Sequence, residues 1–204
     1  MASVIVMFSR ADENYEVGYV KEGNTAKVAD AIAAATGAPI VEILPAEPYP
    51  TTYDGTVERV KREMADGVKA AIVVRLRGDG APSADATADG NATGDGNASD
   101  GNDATTSDAV EAAFDAADTV YLGYPIWCGE PPLEIDTFLR NHDWAGKTIR
   151  PFITHGGSGF KETPAHIGDL TGAKVVQPGL AVYGTVAQND PAEVKRAVAD
   201  WLGE

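Results

Sequence analysis

Apolar runs of strand length alternate with helical patterns along most of this chain. Residues 4–8 form an unbroken apolar run that stops at Ser9, as a strand buried on both faces does. Asn24 or Thr25 is a suitable cap for a helix carrying Val28, Ala29, Ile32 and Ala33, which Gly37 closes. Further strands are expected over 39–44, 119–124, 148–154 and a last region, 173–184. Helices are expected over 54–66, 108–117, 133–141, about 160–170, and from Pro191 to Leu202. Residues 70–76 read equally as helix extension or strand. Such alternation implies right-handed parallel crossovers and a sheet covered on both faces. Three polar, glycine-bearing segments, 9–26, 125–132 and 154–160, each follow a strand, so they meet at one edge of the sheet. In such sheets ligands bind at that edge, at a topological switch point.

Charge narrows what such a ligand can be. The 204 residues carry 31 acidic against 16 basic side chains, a net charge of −15. Five of those charges belong to Asp85, Asp89, Asp95, Asp100 and Asp103 in segment 81–106, which has no Lys, Arg, aromatic, Val, Ile or Leu. That composition predicts a disordered acidic insert in one domain spanning 1–204. The balance excludes sequence-independent nucleic-acid binding and attachment to an anionic membrane, both of which need Lys and Arg. A small dianion is still compatible, held by backbone N–H groups at a helix start. Cys128 is the only cysteine, which precludes an internal disulfide and a multi-cysteine metal site. With neither a basic leader nor a membrane-length apolar run, the expectation is a soluble cytoplasmic protein.

The residues at the three loops carry a resemblance. Ser9-Arg10 followed by Gly23-Asn24-Thr25 and Val28-Ala29, then Gly123 to Trp127, then Phe152 to Gly159, are similar to the flavodoxins. The resemblance covers most of the chain outside 81–106. It implies an α/β, flavodoxin-like three-layer sandwich, with a five-stranded parallel sheet in the order 2-1-3-4-5, and FMN as cofactor. In that reading the Ser9 and Thr25 hydroxyls and the N–H groups of Gly23, Asn24, Thr25 and Ala26 hold the phosphate. Gly23 permits close backbone approach. Taken alone, Asn24-Thr25 would be no more than a helix cap. Arg10 fits the rim better than the phosphate itself, and the long stretch between Ser9 and Gly23 departs from the family's tight loop.

Pro125, Ile126, Trp127, Cys128 and Gly129 correspond to the first flavin-ring loop, with Trp127 against the ring. Cys128 lies near the ring without an assigned redox role. Thr154, His155, Gly156, Gly157, Ser158 and Gly159 correspond to the second, whose free N–H groups face the pyrimidine oxygens. His155 has a structural role or stabilises charge near the flavin. A serine-hydrolase elbow centred on Ser158 fails because residue 160 is Phe160, and no Walker or dinucleotide glycine motif occurs. The repeated Asp-Gly-Asn of the insert lacks the paired helices and apolar position of a calcium loop. The resemblance implies an electron carrier served by a redox partner protein or an NAD(P)H-linked reductase. The alternatives are an NAD(P)H-dependent FMN reductase of quinones and a non-catalytic acidic binding module.

Overall fold

A computed structural model describes residues 2–78 and 101–203. Its centre is a seven-stranded sheet. Strand β1 (Ser3–Phe8) lies between β4 (Ile40–Pro45) and β6 (Thr119–Pro125), and β7 (Thr148–His155) pairs with β6; all of these pairings are parallel. Two short strands, β8 (Lys174–Val175) and β9 (Leu180–Tyr183), continue the sheet one after the other along the far edge of β7. The order 2-1-3-4-5 is therefore present, its fifth position shared by two pieces.

One strand departs from that order. Residues 70–76, undecided in sequence, supply β5 (Ile72–Leu76), which joins the edge of β4 antiparallel, with Ile43 opposite Val74. Burial and charge both favour it. Ile72, Val74 and Leu76 pack on the core, while Arg75 on the other face bonds Glu42 at 2.8 Å. The expected five-stranded, wholly parallel sheet is thus corrected to a mixed sheet with an added edge.

Helices cover both faces because each has one apolar stripe to bury. On one side α1 (Asn24–Thr36), α6 (Gly184–Asn189) and α7 (Pro191–Leu202) enclose Ile5, Met7, Ile32, Phe152 and Val198. On the other, α2 (Tyr53–Asp66), α3 (Gly101–Asp115), α4 (Leu133–Asn141) and α5 (Thr163–Thr171) cover Val4, Val6, Phe114, Leu122 and Phe138. Helix α3 begins at Gly101, so residues 101–106 are helical and not part of a loop; the remainder of the expected acidic insert, 81–100, lies outside the described residues. Among the described residues no helix is long and apolar enough to cross a membrane.

Candidate functional site

The first loop leaves β1 and, in the long stretch between Ser9 and Gly23, folds into an element of its own. Residues 12–14 and 18–20 form a small antiparallel hairpin, β2 (Asp12–Asn14) with β3 (Gly18–Val20). The chain then returns to Gly23, the N-cap of α1, which passes so close to the end of β1 that a Cβ there would lie 2.3 Å from Ser9 Oγ and 2.4 Å from the Arg10 carbonyl oxygen. The Ser9 hydroxyl accepts from Ala26 N–H at 3.1 Å. The Thr25 hydroxyl is buried and shares a 2.9 Å hydrogen bond with the Thr154 hydroxyl, tying the first loop to the third. Both hydroxyls expected at a phosphate also join segments of the protein itself. The N–H groups of Asn24 and Thr25, in the first turn, have no intrahelical acceptor by helix geometry. Arg10 donates to the carbonyls of Glu13 and Pro50, and its buried Nε has no partner. The donors that line the cleft are thus the first-turn main-chain N–H groups of α1, the Asn24 side chain and the cations Arg10 and Lys61, while the Ser9 hydroxyl, an acceptor here, keeps its own proton to donate.

The second loop is a tight reversal. Trp127 and Glu130 exchange N–H to carbonyl bonds of 2.9 and 3.0 Å. Between them Cys128 and Gly129 both have positive φ, 53° and 95°, as a type I′ turn requires. Cys128 is the strained member, since a side chain disfavours that region by about 1–2 kcal/mol and Asn tolerates it better. Cys128→Asn is expected to raise stability by up to about 1 kcal/mol, read as a higher thermal midpoint. An unchanged or lower midpoint counts against strain at this turn. The turn holds the Trp127 ring edge-on to Phe8 and Tyr49, with centroids 5.3 and 5.1 Å away.

In the third loop His155 Nδ1 accepts from Gly157 N–H at 2.9 Å. An acceptor nitrogen carries no proton, so the neutral ring holds its proton on Nε2. Burial pushes His155 below the ordinary histidine range. A folded value below the unfolded one, about 6.5, gives stability that is complete above that pH and lost as pH falls toward the folded value. The midpoint of the wild type is expected to fall more steeply below pH about 6.5 than that of His155→Asn, which keeps an acceptor for Gly157. Parallel midpoint curves contradict the assignment.

The three loops and the start of α2 enclose a cleft of about 370 Å³ at the carboxyl ends of β1, β6 and β7. Arg10, Asn24, all five residues from Pro125 to Gly129, and Thr154, His155, Gly156 and Ser158 line it. Ser9, Gly23, Thr25, Ala26, Gly157 and Gly159 do not; the first four form the junction behind it and Gly157 orients His155. One wall carries Trp127. Tyr15, from the hairpin turn, and Tyr53 also line the cleft, their rings in contact at 5.6 Å. Tyr15 rests on the third loop, since a Cβ on Gly156 would meet its ring at 2.4 Å. Tyr19, on the same hairpin, stays exposed and outside the cleft. The face of α2, with Tyr53, Thr56, Val57, Val60 and Lys61, is the part of the lining that loop motifs do not reveal. Its only sequence signal was an amphipathic period, which does not distinguish a face on the core from one on a cleft. The arrangement suits a flat ring packed on aromatic side chains with an anionic group near the start of α1.

A family model described as flavodoxin matches residues 52–198, which include the second and third loops. Among solved structures, a candidate flavoprotein from Bacteroides uniformis superposes with a TM-score of 0.61 at 22% identity, over 100% of this chain and 98% of the other. A flavoprotein in complex with FMN from Lactobacillus acidophilus gives a TM-score of 0.57 at 16% identity, over 98% of both chains. At these identities the likeness is one of fold. The curated proteins contain no match. With the family model covering most of its length and the sheet order and switch-point cleft in agreement, the chain belongs to the flavodoxin family.

Proposed function

We propose that this chain binds FMN in the cleft and acts in electron transfer with a redox partner protein. The observation that carries the reading is the convergence of three separate loops on one cleft lined by Trp127, Tyr15 and Tyr53. The residues offered for FMN are Trp127, Tyr15 and Tyr53 at the ring, the N–H groups around Gly156 to Ser158 with His155 at its polar edge, and the first turn of α1 with Arg10 at the phosphate. FMN, when bound, supplies the redox chemistry; the protein positions it and sets its electrostatics. An acidic chain with Trp127 on the ring disfavours the anionic reduced form and lowers the potential. The FMN-bound relative supports the cofactor by analogy of fold.

One observation favours a second reading, an NAD(P)H-dependent reductase of quinones. The hairpin bearing Tyr15 adds a wall over the cleft, and such a wall suits a chamber for a second substrate. The absorbance spectrum of the purified protein, before and after adding FMN and then dithionite, tests the cofactor. Protein that carries no flavin and cannot be loaded with it rules out both readings. NADPH oxidation with a quinone then separates them: turnover without an added reductase identifies the enzyme, and its absence the carrier.

A further inference from the structure

Helix α4 opens directly after the second loop, and its second residue, Glu134, is only 1% exposed. Its Oε2 has no hydrogen-bond partner. The titratable groups that face it are Tyr49, from the connection between β4 and α2, and Glu63 and Arg59, from α2; Tyr49 is within hydrogen-bonding reach of it. On its own helix the nearby Asp136 is taken by His166 of α5, at 2.8 Å.

The protons in this cluster can be followed one by one. The Tyr49 hydroxyl donates to Glu63 Oε2 at 3.0 Å. Arg59 Nε donates to Glu63 Oε1 at 2.7 Å, and its guanidinium lies 4.1 Å from the Tyr49 ring centroid, so the Glu63 charge is balanced. Tyr49 has one proton, and it is committed to Glu63. Its oxygen is then left only as an acceptor, so the contact with Glu134 is completed when Glu134 donates. While the Tyr49 proton stays with Glu63, an ionised Glu134 would meet an oxygen with no proton to give and would leave a buried carboxylate oxygen unpaired. The first-turn N–H groups of α4 favour the anion, but burial outweighs them and holds the Glu134 carboxyl above the ordinary range.

The cluster lies against the cofactor wall, because the Tyr49 ring meets Trp127 edge-on at 5.1 Å and Trp127 lines the cleft. We propose that Glu134 carries the proton of a Glu134–Tyr49–Glu63 chain behind Trp127, and that the charge of this chain is coupled to the charge of the bound cofactor, a coupling that rests on the FMN reading. Glu134 acts as a positioning residue, through Tyr49 and Trp127. As pH rises, Glu134 gives its proton to the Tyr49 oxygen while Tyr49 gives its own to Glu63, which releases it to solvent; the net change is the loss of the Glu134 proton, and the new Tyr49 O–H then donates to Glu134. The negative charge left behind Trp127 opposes an electron arriving in the cleft, so the potential falls.

Infrared spectroscopy of the FMN-free protein reads the proton directly. A protonated-carboxyl stretch is expected at neutral pH, absent in Glu134→Gln and shifted in Tyr49→Phe, where its acceptor is removed. The Tyr49→Phe shift carries this assignment by itself if the glutamine variant does not fold. A neutral-pH spectrum unaffected by either substitution overturns the proposal. With FMN loaded, the midpoint potential of the wild type is expected to fall relative to Glu134→Gln over the pH range in which the band disappears. Parallel potential curves overturn the coupling. A protein that shows the band but takes up no FMN refutes the cofactor reading and leaves the proton assignment standing.

Discussion

Gly123→Ala is expected to lower the thermal midpoint by about 2–12 °C, taking an overpacking cost of about 1–3 kcal/mol and about 2–4 °C per kcal/mol for a chain of this size. Gly123 sits mid-strand in β6, opposite Met7 on one side and Phe152 on the other. A Cβ there would lie 2.1 Å from Phe152 Cζ and 2.4 Å from Cε2. Phe152 has no exposed surface and is packed among Ile5, Met7, Val28 and Leu180, so its ring has nowhere to go without moving a neighbour. Thermal unfolding followed by circular dichroism measures the effect. The double variant Gly123→Ala with Phe152→Leu discriminates the cause: removing the ring should recover part of the loss. Losses that simply add show that the two positions do not clash.

Gly23→Ala is expected to weaken FMN binding by about tenfold to a hundredfold, equivalent to about 1.4–2.8 kcal/mol. The backbone at Gly23 (φ −68°, ψ 155°) suits any residue, so the glycine is needed for space. The added methyl would press on Ser9 Oγ, which can turn away, and on the Arg10 carbonyl, which as main chain cannot. The junction would open, the Ser9–Ala26 bond would lengthen, and the first turn of α1 would move from the place offered to the phosphate. Quenching of FMN fluorescence on titration with the protein gives the affinity. Adding Ser9→Ala relieves only the side-chain clash and should leave binding weak. Wild-type affinity in Gly23→Ala means that the phosphate does not depend on this junction.

Both positions belong to the motifs that made the family legible. The strand runs, the helix caps and the three glycine-bearing loops are local patterns, set by period, burial and turn chemistry, and they place those loops at one sheet edge through the parallel crossover alone. Other features depended on which partners were at hand. Residues 70–76 became a strand because β4 offered an open edge and Glu42 a partner for Arg75. The polar stretch after Ser9 became a hairpin whose Tyr15 reaches Gly156, a residue far away in the chain.

The roles of the site residues divide in the same way. Sequence determined that Ser9, Thr25, Trp127 and His155 would gather at one place. Tertiary structure decided what each one does there. Ser9 and Thr25 turn their hydroxyls to Ala26 and Thr154, Trp127 is set against Tyr49 and Phe8, and His155 has its tautomer fixed by Gly157. The physical reason is that a hydroxyl or imidazole binds the nearest geometrically suitable partner, and that partner is known only when distant segments meet. Composition places residue types on elements; only packing selects among the partners those types can take.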